Sequence, residues 1–447
     1  MRRRERETAR LLKDSFKYML LTLLAALLLL LAALLLLNGE DIFAPRGAGT
    51  EAAGNTPAPT PVTIDVGVVA GSTAHPSFLP TPSPSPSPLP TPTPDPDAAL
   101  KAYIAGMPVR DKLGQMVLFG FSGTNAPSEA FRALVDEYAV GNAMLYGPNI
   151  VSGDADGGFA RARTLTDALG AAMDRGIPPL VGIDVEGGTV VRFRWDSRPA
   201  SARTLGRNNS AELAFSQFST IGRQLYDCGI NLDLAPVLDV AAEPMDTFLT
   251  TRILSDSAEV AANMGAAVIG GLHDGGVLSA AKHFPGHGGT AEDSHDTTPV
   301  VDRGADELAA YDLVPFRAAV GAGVDVVLVA HILYPALDAN DIASMSAPVM
   351  TDLLRGELGF TGVVMSDDFR MGGLTGRYAP GEAAVKFVLA GGDLILCGAQ
   401  PDRQRAILEG LTAAAADGTL TEARIDESVL RILRAKARVT GFAPPAA

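Results

Sequence analysis

Eight short apolar runs, separated by helical stretches, restrict the folds open to this chain more than any other feature. They are Met116 to Phe119, Gly141 to Leu145, Leu180 to Ile183, Ile230 to Leu234, Leu278 to Ala281, Val324 to Val329, Gly362 to Met365 and Asp393 to Leu396. A helix over Val109 to Leu113 precedes the first, and Ala211 to Cys228 and Ala258 to Asp274 read as helices between later ones. Near-continuous apolar strands alternating with helices predict a parallel sheet covered on its outer face. Eight repeats predict an α/β fold closed into a (β/α)8 TIM-type barrel. Leu420 to Val439 is the expected closing helix. The 447 residues hold one such barrel plus appendages, and an apolar content of 47% is ample for its core.

In such barrels the active site lies at the C-terminal ends of the strands. Those ends carry Asp184 after the third strand, Lys282 and His283 after the fifth, His331 after the sixth, and Asp367 and Asp368 after the seventh. Polar residues from four strands on one face are hard to explain by packing.

The N-terminal part is organised differently. Residues 1–17 form a basic tail, with Arg2, Arg3, Arg4, Arg6, Arg10, Lys13 and Lys17 against Glu5, Glu7 and Asp14. Tyr18 to Leu37 is an apolar run interrupted only by Thr22, long enough at about 30 Å of helix to cross a bilayer. The positive flank is expected to stay cytoplasmic, which makes the run a single-pass signal anchor and puts the remainder outside the cell. A cleaved signal peptide would have a shorter apolar core and a small-residue cleavage site, which Asn38-Gly39-Glu40-Asp41 does not supply. Residues 38–96 are rich in Pro, Ser and Thr and are expected to be an extended linker without a packed core. Within it, Val62 to Val66 has the pattern of a short strand. The catalytic barrel is assigned to 97–447.

A net charge of −15 and a pI near 4.9 argue against a nucleic-acid partner. Cys228 and Cys397 each lie in an apolar run and read as small buried thiols, with a disulfide between them left open.

Lys282-His283-Phe284-Pro285-Gly286-His287-Gly288-Gly289-Thr290, followed by Asp293-Ser294-His295, concentrates titratable groups on a glycine-loosened loop after the fifth strand. Asp-x-His spacing lets the carboxylate orient the imidazole and raise its basicity, which suits a proton shuttle. His283, His287, His295 and Asp293 are also metal-ligand types. No His-x3-His helical pair with a third ligand accompanies them, however, and the charge of Lys282 opposes a cation. No metal and no cofactor are therefore expected. Asp367 and Asp368 end a buried strand; either both cap the following helix, or Asp367 is a nucleophile supported by Asp368. Asp184 could be an ordinary loop acid or an acceptor for sugar hydroxyls.

From about Met107 to Phe442 the chain resembles the family 3 glycoside hydrolases, in their β-N-acetylglucosaminidase (β-N-acetylhexosaminidase) branch. The resemblance is carried by Asp184 to Gly188, Asn231 to Val240, Thr251-Arg252, Ala281 to Gly288, Asp293-Ser294-His295 and Met365 to Asp368. It implies that Asp367 is the nucleophile and His295 the general acid/base, partnered by Asp293. It also implies that Asp184, Arg192, Arg252, Lys282 and His283 hold the N-acetylglucosamine ring. The expected substrate is a glycan with a terminal β-linked N-acetylglucosamine, with cell-wall (peptidoglycan-derived) material suggested by the surface anchor. The alternatives are a phosphorylase of the same glycosides, a β-glucosidase of the same family, and a non-catalytic glycan-binding protein. Gly289, Val185 and Thr189 depart from the family pattern, and the expectation is that these differences bear on the aglycone side.

Overall fold

The computed structural model describes residues 95–445, apart from 152, 154–156, 196–197, 242–248, 291, 293 and 295. The expected basic tail, anchor helix and short strand at Val62 to Val66 lie outside the described residues. Among the described residues, no helix is long and apolar enough to cross a membrane.

All eight expected strands are present, with ends shifted by up to three residues. The first six are β1 (Val117–Gly120), β2 (Asn142–Met144), β3 (Leu180–Ile183), β4 (Leu232–Asp233), β5 (Leu278–Phe284) and β6 (Val326–Val329). A small antiparallel hairpin follows, β7 (Leu333–Tyr334) and β8 (Asp338–Ile342), and then come β9 (Val363–Ser366) and β10 (Ile395–Cys397). The barrel strands pair in parallel in the order β10-β1-β2-β3-β4-β5-β6-β9. The remaining seam, between β9 and β10, is closed by a parallel bridge from Met365 to Leu394 and by Ser366 N–H donating to the Leu394 carbonyl at 3.0 Å. The sheet is a closed, TIM-type barrel.

The sequence explains the closure. Every residue of β1, β2, β3, β6, β9 and β10 is buried, as strands covered by helices outside and packed side chains inside must be. At the barrel centre Gly182 leaves room for its neighbours. A Cβ there would lie 3.1 Å from Met144 Sδ and 3.5–3.6 Å from methyls of Leu118 and Leu232. The strand β5 runs on past Ala281, so Lys282 and His283 belong to its last turn of the ladder, with a register shift between Ala281 and Phe284.

The closing helix spans Glu422–Thr440, capped by Thr421, whose hydroxyl accepts from Arg424 N–H at 3.3 Å, and ended by left-handed Gly441. Ile425, Val429, Ile432 and Leu433 form its buried stripe. Two buried polar groups fix it to the barrel floor. Asp393 accepts from Arg355 at 2.5 Å, Ser428 at 2.8 Å and Arg431 at 3.0 Å. Lys436, fully buried, donates to Gln115 Oε1 at 2.6 Å and to the Gly141 carbonyl at 3.0 Å. Cys228 and Cys397 are both buried free thiols, so they form no disulfide.

Leu232 is 0% exposed and reaches the barrel axis beside Gly182. Its replacement by alanine is expected to lower unfolding stability by ~2–5 kcal/mol, seen as a lower denaturant midpoint at unchanged slope.

Candidate active site

The C-terminal strand ends surround a cavity of about 430 Å³. Its apolar floor includes Met144, Leu328 and Leu396 from β2, β6 and β10, and its polar walls come from the loops that follow the strands.

The wall after β3 is set by a tight turn. Asp184 and Glu186 are two residues apart on an extended stretch, so their side chains share one face. The chain then reverses at Gly187 and Gly188, both with positive φ (89° and 58°), and Glu186 N–H donates to the Val190 carbonyl at 2.9 Å. A Cβ at Gly187 would lie 2.2 Å from the Ala200 carbonyl oxygen, so no larger residue fits there.

Lys282 joins the two acids. Its Nζ lies 2.8 Å from Asp184 Oδ1 and 2.7 Å from Glu186 Oε1. Arg192 reaches the other oxygen of Asp184 at 3.2 Å, and Arg252 grips Glu186 with two bonds of 2.8 Å. The result is a chain of alternating charge, Arg192–Asp184–Lys282–Glu186–Arg252. Burial acts to raise both carboxyls, but the adjacent cations outweigh it. Asp184 is held below its ordinary value and Glu186 falls to about 2. Burial likewise pulls Lys282 down, and the two carboxylates more than reverse this, so it stays charged.

A second buried carboxylate, Asp239, organises the histidines. It accepts from His283 Nδ1 at 2.6 Å, His283 N–H at 3.1 Å and His287 N–H at 2.7 Å. An ionised carboxylate only accepts, so His283 carries its proton on Nδ1 and leaves Nε2 for a ligand. Burial would raise Asp239, yet the His283 ring and these hydrogen bonds bring it down to about 2.

Asp367 follows β9. Its Oδ1 accepts from Asp368 N–H at 2.8 Å, and no cation bonds to it among the described residues. Asp368 has the opposite environment. It accepts from Tyr146 Oη at 2.9 Å, from Gly398 N–H at 3.1 Å, and from Arg370 through main chain and guanidinium. Burial acts to raise its carboxyl, but the Arg370 bonds keep it below the ordinary range. Asp368 is thus a buried clamp, with both oxygens engaged.

The structure brings Asp184, Arg192, Arg252, Lys282, His283 and Asp367 to one cavity. Asp293 and His295 lie outside the described residues; Ser294, between them in sequence, lines the cavity. His331 does not line it. This histidine is fully buried, with Nδ1 on the Ser344 hydroxyl at 2.7 Å, and burial holds its pKa low. The rings of His283 and His287 are 5.8 Å apart and edge-to-face, each with a nitrogen engaged by Asp239 or Ser294. Among the described residues, no group of three His, Cys, Asp or Glu is placed to hold a metal ion.

Sequence reasoning gave no role to Glu186, Asp239, Tyr146 or Arg370. The two-residue spacing from Asp184 pointed to Glu186, and Tyr146 lies two residues beyond the end of β2. Asp239 and Arg370 are recognisable only from tertiary contacts. The departures Val185, Thr189 and Gly289 are not among the residues lining the cavity, so the aglycone expectation attached to them has no geometric support.

Glu186 is ionised in the folded protein down to about pH 2, against an ordinary value of 4.5. A depressed folded pKa contributes stability above the unfolded value and loses it as pH falls through the folded one. Glu186→Gln is therefore expected to cost ~3–5 kcal/mol at pH 7, by leaving Arg252 and Lys282 under-compensated. It should also flatten the loss of stability between about pH 4.5 and pH 2. Denaturant titrations of both proteins at pH 7 and pH 3 measure this, and parallel losses in the two would refute it.

The model of the "Glycosyl hydrolase family 3 N terminal domain" matches residues 108–435. The chain is 34% identical over 351 residues to Beta-hexosaminidase LpqI of Mycobacterium tuberculosis, covering 74% of this chain and 84% of that protein. It is 31% identical to Beta-hexosaminidase A of Pseudoalteromonas piscicida over 71% of its own length but only 56% of that relative's. Among solved structures, it matches a family 3 β-N-acetylglucosaminidase from Paenibacillus sp. at 37% identity and a TM-score of 0.72, covering 76% of this chain and 64% of that one. M. tuberculosis LpqI matches at 30% identity and a TM-score of 0.67, covering 78% and 98%. With the barrel, the paired acids after β3, the Lys-His end of β5 and the Asp-Asp end of β9 all in place, the chain belongs to glycosyl hydrolase family 3.

Proposed function

We propose that the protein is a retaining, exo-acting β-N-acetylhexosaminidase that removes terminal β-linked N-acetylglucosamine. One observation carries the assignment of the nucleophile. Of the four carboxylates lining the cavity, Asp184, Glu186 and Asp368 each bond a lysine or arginine, and Asp367 bonds none among the described residues. The backbone bond from Asp368 fixes one of its oxygens and leaves the other for substrate. A carboxylate without a counter-cation, held at one oxygen by a backbone N–H, is the strongest nucleophile this set offers.

In the proposed double displacement, Asp367 attacks the anomeric carbon and forms a glycosyl ester as the glycosidic C–O bond breaks. His295, oriented by Asp293, gives its proton to the departing oxygen. In the second half, His295 takes a proton from water, whose oxygen bonds the anomeric carbon as the ester C–O bond breaks and Asp367 leaves as carboxylate. Asp184, His283 and the charged donors Arg192, Arg252 and Lys282 meet the ring hydroxyls and the acetamide. Their mutual ion pairs hold them in place before substrate arrives, so little reorganisation is needed at the reacting centre. Names of relatives such as Beta-hexosaminidase LpqI support the substrate class. The apolar run Tyr18 to Leu37 with its basic flank supports an anchored enzyme whose barrel faces outward, where peptidoglycan-derived glycans are the substrate at hand.

Two variants test the roles. Asp367→Asn should reduce turnover of an aryl N-acetyl-β-glucosaminide by at least about 10,000-fold with an unchanged unfolding curve. His295→Ala should lose ~10²–10⁴-fold on poor leaving groups and far less on activated ones. Product analysis in phosphate buffer completes the test: sugar 1-phosphate in place of free sugar would replace hydrolysis with phosphorolysis.

A further inference from the structure

The Asp293-Ser294-His295 tripeptide is held at its middle residue. Ser294 is 2% exposed, whereas Glu292, Asp296 and Thr297 are exposed. The described residues of this loop from Thr290 to Thr298 include no apolar side chain, so packing does not account for burying it. A hydroxyl taken out of water needs a partner. Ser294 Oγ lies 3.0 Å from His287 Nε2, and its carbonyl accepts from Gly373 N–H at 3.1 Å. The Thr298 hydroxyl adds a bond of 2.9 Å to the Gly373 carbonyl.

Both anchors are themselves fixed. A Cβ at Gly373 would lie 2.8 Å from the His331 carbonyl oxygen, 2.9 Å from that of Thr297 and 3.1 Å from that of Ser294. Only glycine lets the loop come this close to the turn that follows the Asp367-Asp368 pair. On the other side, His287 N–H is held by Asp239, the same buried carboxylate that orients His283. One network therefore runs from a sugar-binding group to the middle of the tripeptide.

We propose that Ser294 is a positioning residue for the proton-transfer steps: pinned to His287 and Gly373, it sets where the two side chains flanking it in sequence are presented to the leaving group. This rests on the assignment of His295 as acid/base. Ser294 exchanges no proton with substrate; it acts through its neighbour. A general acid works only within hydrogen-bond reach of the atom it protonates. Small misplacement of a catalytic group is costly, so the anchor's effect belongs in the rate of the assisted step and not in substrate affinity.

The test compares wild type, Ser294→Ala, His287→Gln, the double variant and His295→Ala on two aryl N-acetyl-β-glucosaminides, one with a poor phenol leaving group and one with an activated dinitrophenol. Ser294→Ala is expected to lower kcat on the phenyl substrate by about tenfold, as for one lost hydrogen bond, with KM within about twofold. On the dinitrophenyl substrate kcat/KM, which reports the attack step alone and needs no acid for so good a leaving group, should change by less than about twofold. His287→Gln should reproduce the pattern, and the double variant should lose little more than either single one, because both remove the same bond. Equal losses of kcat/KM on the two substrates, or none, beside a leaving-group-dependent loss of kcat/KM in His295→Ala, would overturn the positioning role and leave the acid/base assignment standing. A His295→Ala variant insensitive to the leaving group would overturn both.

Discussion

One buried ammonium supports the whole cavity wall on the β3 side. Asp184 and Glu186 point the same way from alternate positions of an extended stretch, and two carboxylates so placed would repel strongly in a desolvated site. Lys282, delivered from the end of β5, lies between them at 2.8 and 2.7 Å. Arg192 and Arg252 close the ends of the series. With three cations on two anions the series carries a surplus of positive charge, so polar donors remain available after the internal pairs are made. Such a network is weak evidence for stability, because taking each charge out of water is expensive. Its value is positional: it fixes donors from two strands relative to each other where water would otherwise screen and rearrange them.

The same chemistry divides the adjacent pair at the end of β9. Asp368 is surrounded by Tyr146, Gly398 N–H and the Arg370 guanidinium, which also lies over the Tyr146 ring at 5.1 Å. Among the described residues, the Asp367 carboxylate receives one backbone bond. Two identical side chains, one residue apart, thus become a fixed clamp and an available carboxylate through the elements that face them. Nothing intrinsic to an Asp-Asp dipeptide says which is which. The strand alternation that turns neighbours to opposite sides, and the position of Arg370 two residues on, decide it.

This separates what the chain discloses locally from what it does not. The barrel was legible because its signal is local and repeated: eight apolar runs, each bounded by helix-forming stretches, admit few other arrangements. Asp184, Lys282, His283 and Asp367 were legible by the same logic, since a titratable residue at the end of a buried strand has no packing reason to be there. Asp239 was not, although it belongs to the motif from Asn231 to Val240. Its work is to hold two histidines about 45 residues further on, at separations of 44 and 48 positions. His331 shows the converse error: it follows a strand as the others do, yet the β7–β8 hairpin region covers it and Ser344 takes its ring. Strand-end position predicts the face of the barrel, and the loops decide which residues on that face stay open.

The departures from the family pattern illustrate how far such loop effects reach. Val185 is fully buried, and its N–H donates to Asp233 Oδ1 at 2.8 Å, so its side chain faces the barrel body and not a ligand. Thr189 is exposed beside Thr251. Gly289 has no room for more: a Cβ there would lie 2.6 Å from Val301 Cγ1 and 3.3 Å from the Arg303 Nε. The guanidinium that fills this space is held by Asp312 at 2.6 Å. A larger side chain at 289 would have to displace that pair. Gly289 is not among the residues that line the cavity. Of the residues that line the cavity itself, Arg370 and Tyr146 are joined through Asp368 to the strand end bearing Asp367, the proposed nucleophile.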